Sequence, residues 1–252
     1  MLIKSNKLFA KFTTSCLTLV CLLYTHSIYA KEFLIAVGLT KPPYVIQETN
    51  KGFELELIIA ICKRMQKQCR FVHTEFGHSV KMLQVEQIDA VMTASKQVFS
   101  GQAHLSTSYI TYQNVAISLK ERNLDIQSIA DLGKLSIASF QSAHKVLGKE
   151  FAQAAQDSPM YLQIAIQKQQ PLLLLKKRVD VIVIDINIFK YLIKSMALGD
   201  IESQFNIHPV FPPSKYHVAF KDEQLKDAFN AAFEIFQYSK EYQKLKVKYD
   251  FH

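Results

Sequence analysis

The chain has 252 residues, 49% of them hydrophobic, and a formal charge of +8. Its seven glycines stand apart from one another, its histidines form no HExxH or close pair, and its basic residues form no tract interleaved with aromatics. These features argue against a phosphate-cradling loop, a metal centre and a nucleic-acid partner, and the length suits one large domain or two modest lobes.

Residues 1–30 read as a secretory leader. Lys4, Lys7 and Lys11 precede an uncharged apolar core from Phe12 to Tyr24, and Ala30 offers a cleavage point. The core is shorter than the ~20 residues a membrane span needs. Cys21 follows Leu19 and Val20, without the small residue of a lipid-attachment site. The expectation is a soluble chain exported to the periplasm and starting at Lys31. Loss of three lysines and no acids lowers its formal charge from +8 to +5. The remaining cations, such as Lys63, Arg64 and Lys67 or Lys240, Lys244 and Lys248, spread over helix faces as solvated surface.

The mature chain opens with the apolar run Phe33–Val37, which predicts a strand, followed after Gly38 by a rigid loop with Pro42, Pro43 and Tyr44. Leu57, Ile58, Ile61, Cys62 and Met65 make a helical stripe, with Glu54, Glu56, Lys63, Arg64 and Lys67 on other faces. An extended run, Arg70–His73, precedes a short helix near His78–Glu86 and a buried strand, Ile88–Met92. The rhythm is that of βαβ units in an α/β sheet. Further on, the β-branched run Val181–Ile184 predicts a strand buried on both faces. Asp185 closes it, before a helix over Asn187–Lys194. Lys215–Lys221 reads as a returning strand and Leu225–Tyr249 as amphipathic helices.

Cys62 and Cys69 are the only cysteines left once the leader is gone. They fall at a helix end and the next strand start, where a disulfide would stabilise the fold by about 2.5 kcal/mol in the chain-entropy model. Two buried thiols are the alternative; the export signal favours the disulfide. Ser142-x-x-Lys145 matches the SxxK of penicillin-recognising enzymes, but no SDN or KTG accompanies it, so it reads as chance. No catalytic set can be assembled from spacing, and no cofactor or metal is expected.

The blocks GFELEL, ICKRMQKQC and QIDAVM resemble the GFDxDL, CKRxxxxC and xxDAxx blocks of family 3 periplasmic solute-binding proteins. The likeness is nearest the branch of lysine/arginine/ornithine- and histidine-binding proteins. The ending KVKYDFH is similar too, so the resemblance covers nearly the whole mature chain. It implies a two-lobed α/β fold of periplasmic-binding-protein type II, each lobe a mixed sheet flanked by helices, with two crossing strands between them. Lobe 1 would take residues 31–112 and 210–252, and lobe 2 residues 113–209. The implied function is capture of a small polar solute, an amino acid or amine-like molecule, between the lobes of a monomer that serves an inner-membrane ABC permease. A ligand-sensing accessory protein and a dehydratase-like enzyme on the same fold are the alternatives.

The resemblance also implies site residues. Tyr44 matches the aromatic after the prolines of a cleft loop, while Lys41 replaces the aromatic before them. Phe76 matches a wall residue, and Thr93 opens the loop that follows the buried strand. Ser142 lies in a loop that offers backbone N–H groups and a hydroxyl to the ligand. Asp185 matches the acid that holds a ligand's ammonium. Core packing is the competing reading for Tyr44 and Phe76, and helix capping for Ser142 and Asp185. The family's carboxylate-clamping arginine has no counterpart: Arg64, Arg70, Arg122 and Arg178 are the only four, and none lies in 93–105. Lys96 would be a less directional substitute, so common L-amino acids are expected to bind weakly.

Overall fold

The computed structural model describes residues 32–85, 87–196 and 202–251; the leader expected over 1–30 lies outside them. Strand β1 (Phe33–Val37) alternates as its sequence suggests. Phe33, Ile35 and Val37 join the main core, while Leu34 and Ala36 meet a second cluster on the opposite face. Helix α1 (Phe53–Arg64) buries Leu57, Ile58, Ile61 and Cys62. Its first turn carries Glu54 and Glu56 and its last turn Lys63 and Arg64, the arrangement that suits the helix dipole. Cys62 and Cys69 form a disulfide with Cα atoms 6.1 Å apart, tying the end of α1 to β2 (Cys69–His73) at the sheet edge.

Helix α2 (Phe76–Gln84) starts two residues before the expected His78, and β3 spans Ala90–Ala94 rather than Ile88–Met92. The strand begins late because Asp89 is engaged in its approach. Its carboxylate accepts the Leu34 N–H at 2.8 Å, fastening the entry of β3 to β1. Helix α3 (Lys96–Phe99), β4 (His104–Leu105) and β5 (Ile110–Tyr112) follow.

The chain then crosses through Gln113 into β6 (Asn114–Leu119) and β7 (Ile137–Phe140). Next come helix α4 (Ala143–Val146), helix α5 (Lys149–Asp157), β8 (Tyr161–Ile164) and helix α6 (Gln169–Leu175). Strand β9 (Val181–Asp185) is buried along its whole length. Val181 and Val183 meet Phe151 and Phe211 on one face; Ile182 and Ile184 meet Phe189 and Leu192 on the other. Helix α7 (Ile186–Ser195) and β10 (Phe205–His208) complete this part. The chain returns as β11 (Ser214–Phe220) and ends in α8 (Glu223–Phe236) and α9 (Lys240–Lys248).

Two mixed sheets result, ordered β2-β1-β3-β11-β4, with β5 also on β11, and β10-β6-β9-β7-β8. Each has a parallel core and antiparallel members. The second sheet repeats the device at Asp89: Asp180, just before β9, accepts the Ser136 N–H at 2.9 Å at the entry of β7. One glycine sets the geometry of the first loop. Gly52 has φ 128°, and a Cβ there would collide with the Tyr44 carbonyl oxygen. That close approach lets Phe53 N–H bond the Pro43 carbonyl and Glu54 N–H the Tyr44 carbonyl, at 2.9 and 3.0 Å.

Candidate functional site

A cleft opens between the two sheets, at the carboxyl ends of β1, β3, β7 and β9. Lys41, Thr93 and Tyr112 line it from the first sheet, and Asn114, Asp185 and Ile188 from the second. Gln141 Nε2 reaches across to donate to Glu75 Oε2 at 3.2 Å. Ligands in open α/β sheets bind in this kind of crevice.

The first wall is organised by Glu54. The sequence pattern puts this residue off the apolar stripe of α1, but the side chain is fully buried, not solvated. The first turn of α1 abuts the Lys41–Val45 loop, and this encloses Glu54 behind the cleft-lining Lys41, Thr93 and Tyr112. Thr93 Oγ1 donates to Glu54 Oε1 at 2.6 Å, Tyr112 OH donates to Oε2 at 2.8 Å, and Tyr109 OH also donates to Oε1. Lys41 supplies the counter-charge, its ammonium 3.4 Å from Oε2 and 2.8 Å from Thr93 Oγ1, and it lies over the Tyr112 ring. Desolvation lowers the Lys41 pKa, and the Glu54 charge resists the shift. Desolvation together with Glu54 raises Tyr109 and Tyr112 well above the phenol range, so both remain donors. Thr93 has φ 53°, rare for a β-branched residue. That turn at the end of β3 carries its hydroxyl between Lys41 and Glu54.

The second wall is organised by Asp185, which is 1% exposed and caps α7. Oδ1 accepts the Asn187 and Ile188 N–H groups at 2.9 and 3.1 Å and the Tyr44 hydroxyl at 3.2 Å. Oδ2 accepts the Gln113 N–H at 2.9 Å. All four donors are neutral. Burial pushes the carboxyl up to about 6, against the pull of the Ile188, Gln113 and Asn187 N–H groups and the Tyr44 hydroxyl. Tyr44 joins the walls: it is fully buried, its ring stacks on Tyr112 at 4.0 Å, and its hydroxyl accepts from Asn187 Nδ2.

Of the residues expected from sequence, Tyr44, Thr93 and Asp185 come together here. Ser142 stands at the N-cap position of α4 with φ 62°. Its hydroxyl makes no capping bond, and its N–H is taken by Gln163 Oε1 at 2.8 Å. Lys96 is absent from the lining of this cleft and borders a separate cavity with Ser95, Ser106 and His217. The placement of the Phe76 side chain lies outside the described part of the structure. Lys41, Glu54, Tyr109 and Tyr112 were missed as site residues. The one signal for them was that Lys41 stands where the resembling loop has an aromatic.

Two mixed sheets with two crossings and a cleft at their carboxyl ends define a two-lobed solute clamp, the periplasmic-binding-protein fold of type II. Residues 33–252 match the model of the bacterial extracellular solute-binding proteins, family 3, and the chain belongs to that family. It is 24% identical to the arginine-binding periplasmic protein of Mannheimia haemolytica over 245 residues, covering 92% of this chain and 97% of that one. The L-arginine-binding protein of Pseudomonas aeruginosa is 22% identical over 237 residues, covering 87% of this chain and 88% of the other. Among solved structures, an ancestral arginine-binding protein bound to glutamine superposes with a TM-score of 0.71. It shares 20% identity over 86% of this chain and 97% of that one.

Proposed function

We propose that this solute-binding protein works in the periplasm, where lobes of residues 31–112 with 210–252 and of residues 113–209 close on a small amine-bearing solute. An inner-membrane ABC permease would then receive it. Asp185 carries the reading. A carboxylate buried with only neutral hydrogen-bond donors has no direct ion-pair partner among the described residues, and a ligand ammonium in the cleft would supply one. The arginine-binding relatives make an amine-bearing ligand the natural class to test first.

Calorimetry of the exported protein against amines and amino acids tests this. Asp185→Asn keeps an oxygen for the α7 cap and is expected to weaken binding by about 1.5–3 kcal/mol, the range for a hydrogen bond to a charged group. Unchanged affinity in that variant would reduce Asp185 to a helix cap. Affinity should also fall as the pH drops through about 6, where the buried carboxyl takes up its proton.

A further inference from the structure

We infer that the cavity bordered by Lys96 is a second binding site, which takes hydrogen phosphate through the Ser95 hydroxyl, the His217 imidazole and the Lys96 ammonium. The inference stands apart from the reading of Asp185, since it concerns other side chains and another ligand.

This cavity shares Val146 and Tyr216 with the cleft but none of its charged residues. Lys96, Lys215 and Lys226 border it together with His217, and among the described residues no Asp or Glu does. Lys226 is already paired, its ammonium 3.2 Å from Glu223 and 2.9 Å from Asp227. Lys96 and Lys215 are exposed and make no ion pair among the described residues. The cavity therefore favours an anion. Exposed lysines alone attract anions weakly and without selection.

The selective part is buried. Ser95 is 2% exposed and His217 4%, and neither Ser95 Oγ nor His217 Nε2 has a hydrogen-bond partner among the described residues. Buried polar atoms are seldom left so. His217 stands opposite Ala94, and the ladder of β11 with β3 shifts register before Ala219, so the strand is irregular where its histidine borders the cavity. His217 Nδ1 lies 2.7 Å from the Ser106 carbonyl oxygen, so it carries the ring proton and donates. Burial lowers the imidazole pKa against the pull of the Ser106 and Thr107 backbone, and the Lys96 charge adds to the shift. The ring is thus neutral at neutral pH, and Nε2 is an acceptor.

An acceptor among lysines calls for an anion that also has a proton to give. Hydrogen phosphate is such an anion. Its P–OH can donate to His217 Nε2 while its other oxygens accept from Ser95 Oγ and Lys96. Sulfate has the charge but no proton. A phosphate monoester, with its second pKa near 6, has lost its proton at about pH 7.5.

Titration calorimetry of the exported protein at about pH 7.5, with inorganic phosphate, sulfate and methyl phosphate at matched ionic strength, tests the site. Phosphate is expected to bind at least about tenfold tighter than either of the others. Ser95→Ala and Lys96→Gln break no hydrogen bond or ion pair among the described residues, so both should fold, and each should weaken phosphate binding by about fivefold or more. His217→Phe also strips the Ser106 carbonyl of its donor, so its fold is checked by thermal melting; once folded, it should bind phosphate and sulfate within about threefold of each other.

Equal binding of phosphate and sulfate by the parent protein would overturn the inference, reducing the cavity to a basic surface. Methyl phosphate binding as well as phosphate would overturn it too, because the P–OH would then be idle. So would phosphate affinity that survives both Ser95→Ala and Lys96→Gln, or no phosphate binding at millimolar concentration.

Discussion

Glu54 and Asp185 are both buried carboxylates at the cleft, but one is held by side chains and the other by the backbone. Glu54 draws on hydroxyls from Thr93, Tyr109 and Tyr112 and on the charge of Lys41, four side chains from three chain segments. Asp185 draws chiefly on N–H groups that exist because α7 starts beside it and the chain crosses between sheets at Gln113. The first arrangement is neutral as a unit and depends on every member. The second needs few particular neighbours and leaves its charge free to meet a ligand.

Removing Lys41 should break the contrast most visibly. Lys41→Met leaves a buried carboxylate without its counter-charge and is expected to lower folded stability by about 3–5 kcal/mol, with part of the loss regained on adding Glu54→Gln. Urea denaturation of the single and double variants measures both. No recovery in the double variant would show that the lysine acts through packing instead.

On the opposite wall the expected effect has the other sign. The folded carboxyl of Asp185 lies near 6 against an ordinary 3.8, so the folded chain holds that proton more tightly than the unfolded chain. Its contribution to stability is full below about pH 4 and is lost as the pH rises through about 6, roughly 3 kcal/mol in all. Asp185→Asn should therefore leave the ligand-free protein at pH 7 as stable as the parent or more so, and flatten this part of the pH profile. Denaturation midpoints at a series of pH values check it; a variant markedly weaker at pH 7 would refute the assignment.

Tyr112→Phe sharpens the comparison with the smallest effect. It keeps the ring against Tyr44 while taking one donor from Glu54, and about 1.5 kcal/mol of stability should go with it. If the same measurement shows no loss, Thr93 and Tyr109 suffice to hold the acid.

Much of the frame was legible in the residues. The stripe from Leu57 to Cys62 gave α1, the VIVID run gave β9, and the short Cys62–Cys69 spacing led to the disulfide. The place of Asp185 at a strand's carboxyl end was also readable. Helix α5, β8 and β10 went unread, because segments such as Lys149–Asp157 carry many polar residues and little continuous apolar pattern. Glu54 was misjudged for a different reason. Periodicity separates the apolar side of a helix from its polar side, but it cannot tell that a polar first turn presses against another loop. Lys96 illustrates the same limit: its distance along the chain from β3 says nothing of the side from which its ammonium reaches a cavity.

The position of β11 between β3 and β4 has a consequence for how the chain is made. Among the described residues, strand β4, at residues 104 and 105, pairs only with β11, and β11 begins at Ser214. All five strands of the second sheet, residues 114–208, emerge from the ribosome in the interval. The second sheet can thus pair from contiguous chain while the first waits with an open edge at β3. Contacts of such long sequence separation form slowly, and an unpaired edge in the meantime invites aggregation.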